Sequence, residues 1–197
     1  MVNAVIRSTA SMPNVCHVPL STLSQPLLRT LDALWTDAFG WQPLPDDEEV
    51  EVDPAEHLFL LRSEDETRVL ATAVVKRFDV KFGGVAYPVQ GVLNVVAAVK
   101  GQGYGRAVMA AVHEWLISEN QTGVGFAKRE VSPFYKRCGY QVARDLVARF
   151  REDDPDDDTV RPHPDGDEDV FYVNDYRNLI QTILGTPNEL AFVPEFW

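Results

Sequence analysis

Hydrophobic side chains recur at every third or fourth position between residues 27 and 39, which is the spacing of an amphipathic helix. The apolar residues of this segment are Leu27, Leu28, Leu31, Leu34, Trp35 and Phe39. Ser21 or Ser24 can cap the start of such a helix, and Gly40 can end it. The pattern therefore predicts a helix that packs one face on a core, after a tail or edge strand over residues 1–20.

Short apolar runs separated by polar turns predict a β-sheet in the middle of the chain. The predicted strands cover residues 57–62, 69–75, 78–87 and 89–99. The first two form an antiparallel hairpin around the polar turn 63–67, and Gly83-Gly84 breaks or bulges the third. The fourth is almost continuously apolar and is therefore predicted to be the central, buried strand.

Strands and helices alternate in the second half of the chain. The predicted helices cover residues 107–116, 131–137 and 175–184, and the predicted strands cover residues 124–127, 142–150 and 170–173. The central strand, the first of these helices and the strand after it form a right-handed crossover between parallel strands. The pattern predicts one α/β (α+β) domain over residues 1–197, with a mixed central sheet flanked by helices.

Composition and charge narrow the class of partner. The chain has 197 residues, 45% of them hydrophobic, and a formal net charge of −12. A nucleic-acid partner is not expected, because it would require a basic face. No apolar run approaches the ~20 residues that span a bilayer, and the N-terminus lacks the apolar core of a signal peptide. Cys16 and Cys138 lack the spacing of metal ligands or of a disulfide framework, so we expect a cytoplasmic protein without a metal site.

Three segments fall outside the regular pattern. Residues 43–56 and 152–169 contain prolines and are dense in carboxylates. The first is expected to be a solvated charge run, with a functional loop as the alternative, and the second is expected to be mobile. The C-terminal tail, residues 186–197, is strongly apolar and aromatic for a chain end. We therefore expect the tail to dock back on the domain.

A glycine-rich turn joins the central strand to the helix that follows it. The turn reads Lys100-Gly101-Gln102-Gly103-Tyr104-Gly105-Arg106. A buried strand, a glycine turn and a helix in this order aim backbone N–H groups at one point, where the helix N-terminus adds positive potential. The spacing matches neither the G-x-G-x-x-G of dinucleotide folds nor the G-x-x-x-x-G-K-[ST] of a P-loop. An anion of another kind is therefore predicted to bind here.

Two motifs resemble the GNAT N-acetyltransferase superfamily. The turn fits basic/Gln-x-x-G-x-G/A, and the segment from Ser132 to Tyr140 fits F-Y-x-x-x-G-[FY]. The resemblance implies acetyl-CoA as co-substrate, with its pyrophosphate on the turn and its thioester in a gap between two splayed parallel strands. The cofactor-binding residues it implies are Val95, Val96, Ala97, Lys100, Gly101, Gln102, Gly103, Tyr104, Gly105 and Arg106. For Lys100 and Arg106, plain surface charge is the alternative.

Acetyl transfer needs a base for the ammonium and a proton for the departing sulfur. The resemblance places Tyr135 near the sulfur as general acid, with a purely structural tyrosine as the alternative. Cys138 is expected to be a small core residue. The central strand carries no acid, since Gln90 and Asn94 can only orient a water there. The proton must then reach a carboxylate elsewhere through water, or pass through His57 or His113.

The C-terminal part resembles the aminoglycoside 2'-N-acetyltransferases. It combines an acidic loop, a Val-Phe-x-Val strand and an acid-aromatic-Trp end. The resemblance implies that a polycationic acceptor is held by several carboxylates, namely Glu195, the terminal carboxylate of Trp197 and an acid among Asp165, Asp167 and Asp169. Those enzymes carry an acid on the central strand, which this chain lacks.

The sequence thus predicts an acetyl-CoA-dependent N-acetyltransferase that acts on a primary amine of a small, polycationic molecule. Transfer is expected to be direct, from thioester to amine. A protein or peptide N-acetyltransferase and a catalytically silent acyl-CoA-binding module are the alternatives. A homodimer is left open, and no membrane partner is expected.

Overall fold

The computed structural model describes residues 14–45, 47–153 and 167–194, whose strands form one mixed sheet flanked by helices. The strands are β1 (Val15–Pro19), β2 (Glu56–Arg62), β3 (Val69–Phe82), β4 (Val85–Ala97), β5 (Gly123–Lys128), β6 (Gln141–Ala143), β7 (Phe150–Asp153), β8 (Glu168–Val173) and β9 (Ala191–Pro194). The helices are α1 (Gln25–Phe39), α2 (Tyr104–Ser118), α3 (Ser132–Arg137) and α4 (Leu179–Gly185), with single 3-10 turns at Leu20–Thr22 and Val147–Arg149. The predicted fold class is confirmed.

The sheet runs β1-β2-β3-β4-β5-β8-β6, and β9 pairs with both β3 and β7. β1 to β4 form an antiparallel meander, and β5 is parallel to β4. The predicted antiparallel hairpin and the predicted crossover between parallel strands through α2 are therefore confirmed.

The β3–β4 hairpin corrects the prediction for residues 78–87. Gly83 and Gly84 have φ of 56° and 73°, as a two-residue hairpin turn requires, and Phe82 pairs with Val85. The glycines therefore break the predicted strand by reversing the chain, and they do not bulge it. The residues on each side continue into two long strands.

The core has two layers because side chains alternate along the strands. Leu58 and Leu60 of β2 pack in a cluster with the buried face of α1, including Leu31. Phe59 and Leu61 pack in a second cluster with the buried face of α2. Each fully buried side chain of this kind contributes roughly 1.5–3 kcal/mol, so both helices are held mainly by these faces.

The C-terminal elements form a third cluster, and two predictions fail there. The predicted strand 142–150 is divided, because β6 ends at Ala143 and Val147–Arg149 forms a 3-10 turn before β7. The predicted helix over 175–184 starts only at Leu179, since the carboxylate of Asp175 instead accepts hydrogen bonds from the N–H groups of Ile180 and Gln181, at 3.2 and 3.0 Å.

Part of the predicted tail docks on the sheet. β9 lies parallel to β7 and also pairs with β3 at Lys81 and Phe192. Arg149 supports this end by donating hydrogen bonds to the carbonyl oxygens of Thr186 and Glu189, the latter through Nε at 2.8 Å. Residues 195–197 and most of the predicted acidic loop 152–169 lie outside the described residues.

Candidate active site

β4 and β5 separate shortly after they meet. The two strands pair at Gln90 with Gly123 and at Gly91 with Val124, after which β5 continues only alongside β8. A cavity of about 230 Å³ lies where they part. Its described lining consists of Phe39, Trp41, Val92, Leu93, Asn94, Val95, Phe126, Tyr135 and Glu168. The splayed strands expected for the thioester are therefore present.

A β-bulge in β4 shapes one wall of the cavity. The register of β3 on β4 shifts between Thr72 and Val74, which leaves Asn94 and Val95 without partners on β3. Asn94 has a left-handed φ of 48°, a conformation that asparagine tolerates better than most residues. A bulge re-aims a strand and leaves backbone groups out of the ladder. The bulge thus interrupts the regular β3–β4 ladder beside the cavity.

The glycine turn has the geometry of an anion cradle. Gly101 and Gly103 have φ of 82° and 83°, and a Cβ on either would meet no atom within 4 Å. Gly103 caps α2 through its carbonyl oxygen, which accepts from the N–H of Ala107 at 3.0 Å, and no side chain caps the helix. No described backbone carbonyl accepts from the amides between Gly101 and Arg106. These amides are therefore open to a ligand.

The third glycine of the turn has a different role. A Cβ at Gly105 would lie 3.5 Å from the ring of Phe134 and 3.7 Å from the Cβ of Ala97, which are ordinary contact distances. Gly105 is not among the residues of positive φ. Alanine is therefore compatible with this position, and the turn depends chiefly on Gly101 and Gly103.

An acyl-CoA fits the turn and the strand that leads to it. The open space above the positive-φ glycines suits a pyrophosphate, and so does the N-terminus of α2, which no side chain caps. Lys100, Gln102 and Arg106 are exposed around the turn, while Tyr104 is half-buried. On β4, Val96 is buried and Val95 lines the cavity, so only backbone groups of this stretch are suited to the pantetheine arm.

Tyr135 of α3 lies at the inner side of the cavity. Its ring is 6% exposed and stacks on Phe171 with centroids 3.7 Å apart. Burial, assisted by the thiol of Cys138 and the charge of Glu168, raises the pKa of Tyr135 well above its ordinary value of 10. The phenol therefore keeps its proton at neutral pH. No described residue makes a hydrogen bond to its hydroxyl.

Glu168 is the carboxylate of the cavity that the sequence reasoning did not select. It is the first residue of β8, and it faces Tyr135 closely enough to influence that residue's pKa. In the sequence it is one of many acids between residues 152 and 169. The available signal was its position just before the apolar run 170–173, at the start of a strand.

The other acids proposed for the acceptor lie elsewhere. Asp169 is 1% exposed, accepts a hydrogen bond from Ser132 at 2.8 Å and pairs with Arg129 at 3.5 Å, so an acceptor has no access to it. Asp167 is exposed but does not line the cavity. Asp165, Glu195 and Trp197 lie outside the described residues.

The remaining predicted site residues also include some that line the cavity and some that do not. Asn94 lines the cavity, whereas Gln90 is buried in the middle of β4, where β5 pairs with it and its N–H donates to the carbonyl oxygen of Thr122 at 2.8 Å. His57 is hydrogen-bonded to His17 at 3.1 Å. His113 packs against Tyr140, and neither His57 nor His113 belongs to the described lining.

The described residues contain neither a cluster of metal ligands nor a membrane-spanning helix. No group of three or more His, Cys, Asp or Glu side chains there is arranged to hold a metal ion. None of the helices there has the length and apolar character needed to cross a membrane. Cys138 packs against the core cluster around α2, as the sequence indicates.

Comparisons with known proteins find a matching family and structures of similar fold. Residues 24–143 match the family described as acetyltransferase (GNAT) domain. No curated protein matches the chain in a sequence comparison. Escherichia coli ElaA is 17% identical with a TM-score of 0.53, over 82% of this chain and 99% of that one. An acyl-CoA N-acyltransferase from Pseudomonas aeruginosa is 14% identical with a TM-score of 0.52, over 81% of this chain and 97% of that one.

A third structure is larger than this chain. A conserved protein of unknown function from Enterococcus faecalis, described as a probable N-acyltransferase, is 17% identical with a TM-score of 0.51. The match covers 68% of this chain but only 33% of that protein. At these identities the structures show a shared fold.

The family match supports membership of a family, which is more than a shared fold. It extends over more than half of the chain and contains both the glycine turn and the segment with Tyr135. Its cradle for an acyl-CoA and its splayed strands are both present among the described residues. The chain therefore belongs to the GNAT acetyltransferases.

Proposed function

We propose that this acetyltransferase moves an acetyl group from acetyl-CoA directly to a primary amine of a small molecule. One observation carries the proposal: a single cavity combines the bulged backbone at Asn94, the protonated phenol of Tyr135 and the carboxylate of Glu168. The cavity lies along the strand that leads to the open glycine turn.

The donor supplies an activated acetyl group as a thioester. On the protein side, amides between Gly101 and Arg106 bind the pyrophosphate, with Lys100 and Arg106 as exposed cations beside them. Backbone groups of Val95, Val96 and Ala97 bind the pantetheine arm. Backbone amides at the bulge polarise the acetyl carbonyl, as an oxyanion site requires.

The proton balance assigns a role to each titratable group of the cavity. The nitrogen forms a bond to the acetyl carbon, and the bond between that carbon and sulfur breaks. During this exchange the ammonium group loses two protons. Glu168 accepts the first proton and passes it to solvent, which frees the amine for attack. Tyr135 protonates the departing sulfur and is reprotonated by the second proton. One proton is released overall.

A polycationic, aminoglycoside-like acceptor is a second candidate for the amine. The net charge of −12 and the carboxylates of residues 152–169 favour it. On this proposal Asp165, Asp167, Glu195 and the carboxylate of Trp197 hold the outer ammonium groups. A reducing compartment such as the cytoplasm suits the two free thiols of Cys16 and Cys138.

The test is thiol release from acetyl-CoA across a panel of amines, with products identified by mass spectrometry. The panel contains simple alkylamines, aromatic amines, polyamines, an aminoglycoside and peptides. We expect one acetylated product per thiol released, and Tyr135→Phe should lower kcat while it leaves the KM for acetyl-CoA within about twofold. Acetylation of peptides alone would support a protein acetyltransferase. Binding of acetyl-CoA without turnover on any amine would support a silent binding module.

A further inference from the structure

Two aromatic side chains form an exposed wall of the cavity. Phe39 and Trp41 are 44% and 50% exposed, and their rings stack with centroids 4.9 Å apart at 30°. Both belong to the lining that includes Tyr135 and Glu168. Large apolar groups that remain exposed on a concave surface commonly mark a binding site.

The end of α1 sets the position of this wall. Gly40 has a left-handed φ of 72°, and the N–H groups of Gly40 and Trp41 both donate to the carbonyl oxygen of Thr36, at 2.8 and 3.2 Å. This helix cap fixes the backbone between the two aromatic residues. The backbone of this helix cap therefore holds the wall in position.

The same described lining contains a carboxylate, that of Glu168. A carboxylate is suited to the ammonium of a primary amine. Stacked aromatic rings match a flat apolar body, because such surfaces are removed from water together on binding.

We propose that the acceptor is a primary amine with a flat apolar body, which stacks on Phe39 and Trp41 while its ammonium pairs with Glu168. This inference rests on the proposed function and specifies its acceptor. The acetyl group passes from sulfur to the amine nitrogen, so the products are an N-acetylated aromatic amine, CoA thiol and one proton. Phe39 and Trp41 thereby determine specificity and take no part in the proton transfers.

The test compares the binding of two matched probes by calorimetry, on the full chain saturated with CoA. 2-Phenylethylamine and ethylamine carry the same ammonium, and only the first has a ring. We expect the ring to strengthen binding by about tenfold or more, the effect of burying an apolar group of this size. Trp41→Ala should reduce this advantage to less than about threefold, and Trp41→Phe should retain most of it.

Two further variants distinguish the contribution of the aromatic ring to binding from that of the charge. Glu168→Gln should weaken both probes by a similar factor and leave the ring advantage unchanged. Tyr176→Ala is the matched control, because Tyr176 is an exposed aromatic residue, 59% accessible, outside the cavity lining. It should bind both probes as the unaltered chain does, and circular dichroism should show that all variants are folded.

The outcomes distinguish this inference from the function on which it rests. Equal binding of the two probes, or no binding of 2-phenylethylamine, would overturn the inference, and so would stronger binding of spermidine or kanamycin. Acetylation of such polycations alone would sustain the acetyltransferase and reject the aromatic acceptor. A ring advantage that depends on Trp41 without any turnover would sustain the site and reject the reaction.

Discussion

The hydroxyl of Thr72 donates a 3.0 Å hydrogen bond to the carbonyl oxygen of Asn94, the left-handed residue of the β4 bulge. The same hydroxyl accepts a 3.0 Å hydrogen bond from the indole Nε1 of Trp35 on α1. Thr72 is completely buried. A helix on one face of the sheet therefore fixes the backbone that faces the cavity, and Thr72 acts as a positioning residue.

Thr72→Val, which keeps the shape and removes the hydroxyl, should lower both stability and turnover. It leaves the Asn94 carbonyl and the Trp35 N–H without partners, at a cost of about 1–3 kcal/mol in the free energy of unfolding. Misplacement of the bulge should also lower kcat by about tenfold, since catalysis depends on sub-ångström positions. Urea unfolding and steady-state kinetics measure the two effects. Thr72→Ser keeps the hydroxyl and should recover kcat; a kcat of Thr72→Val equal to the unaltered value would contradict the positioning role.

Glu168→Gln should lower kcat by about 10²–10⁴ at pH 7, the range for removal of a general base. The loss should shrink as the pH approaches the pKa of the amine, about 10, because the acceptor then arrives without its extra proton. A pH profile of kcat/KM measures this recovery. Glu130→Gln serves as the control, because Glu130 is an exposed carboxylate outside the cavity lining. A deficit that stays constant with pH would show that Glu168 acts in some other way.

Gly103→Ala and Gly105→Ala should differ in their effect on the binding of acetyl-CoA. Gly103 has a φ of 83°, where a Cβ is strained by about 1–2 kcal/mol, and the added methyl points into the space proposed for the pyrophosphate. We expect the KM for acetyl-CoA to rise about tenfold or more for Gly103→Ala, and much less for Gly105→Ala. Equal effects would argue that the two glycines have the same role.

The His17–His57 pair should make stability sensitive to pH. Burial and then the charge of His57 lower the pKa of His17 below 6.5, and Glu119 opposes them more weakly. Because the folded protein favours neutral His17, stability is fully present above pH 6.5 and is lost as the pH falls below it. Urea unfolding at pH 7.5 and pH 5.0 measures the loss. His17→Phe, which retains an aromatic ring beside Phe59, should lose less stability over this range. An unchanged pH dependence would mean that other groups cause it.

Several features follow from local sequence alone. The helix up to Gly40, the strand that leads into the glycine turn and the helix after it were all predictable, because they depend on spacing and glycine content over a few residues. The position of Tyr135 in a short helix after β5 followed from its motif. Such signals do not need the rest of the chain.

Other features depend on which strands pair. Gly83-Gly84 could have been a bulge or a turn, and the long register of β3 on β4 made it a turn. Among the acids near residue 168, the antiparallel pairing of β8 with β5 directs Glu168 to the cavity, and Asp169, its neighbour, to the opposite side and into a buried hydrogen bond with Ser132. Successive side chains on a strand face opposite sides, so a contact between distant segments decides which acid is available.

The sequence by itself indicated the family and predicted the turn that we propose for the pyrophosphate, because a glycine turn between a strand and a helix is built from neighbours in the chain. Only the tertiary structure decided which acidic and aromatic residues line the cavity. Phe39, Trp41 and Glu168 come from opposite ends of the described chain, and packing of α1 and β8 around the separated ends of β4 and β5 brings them together.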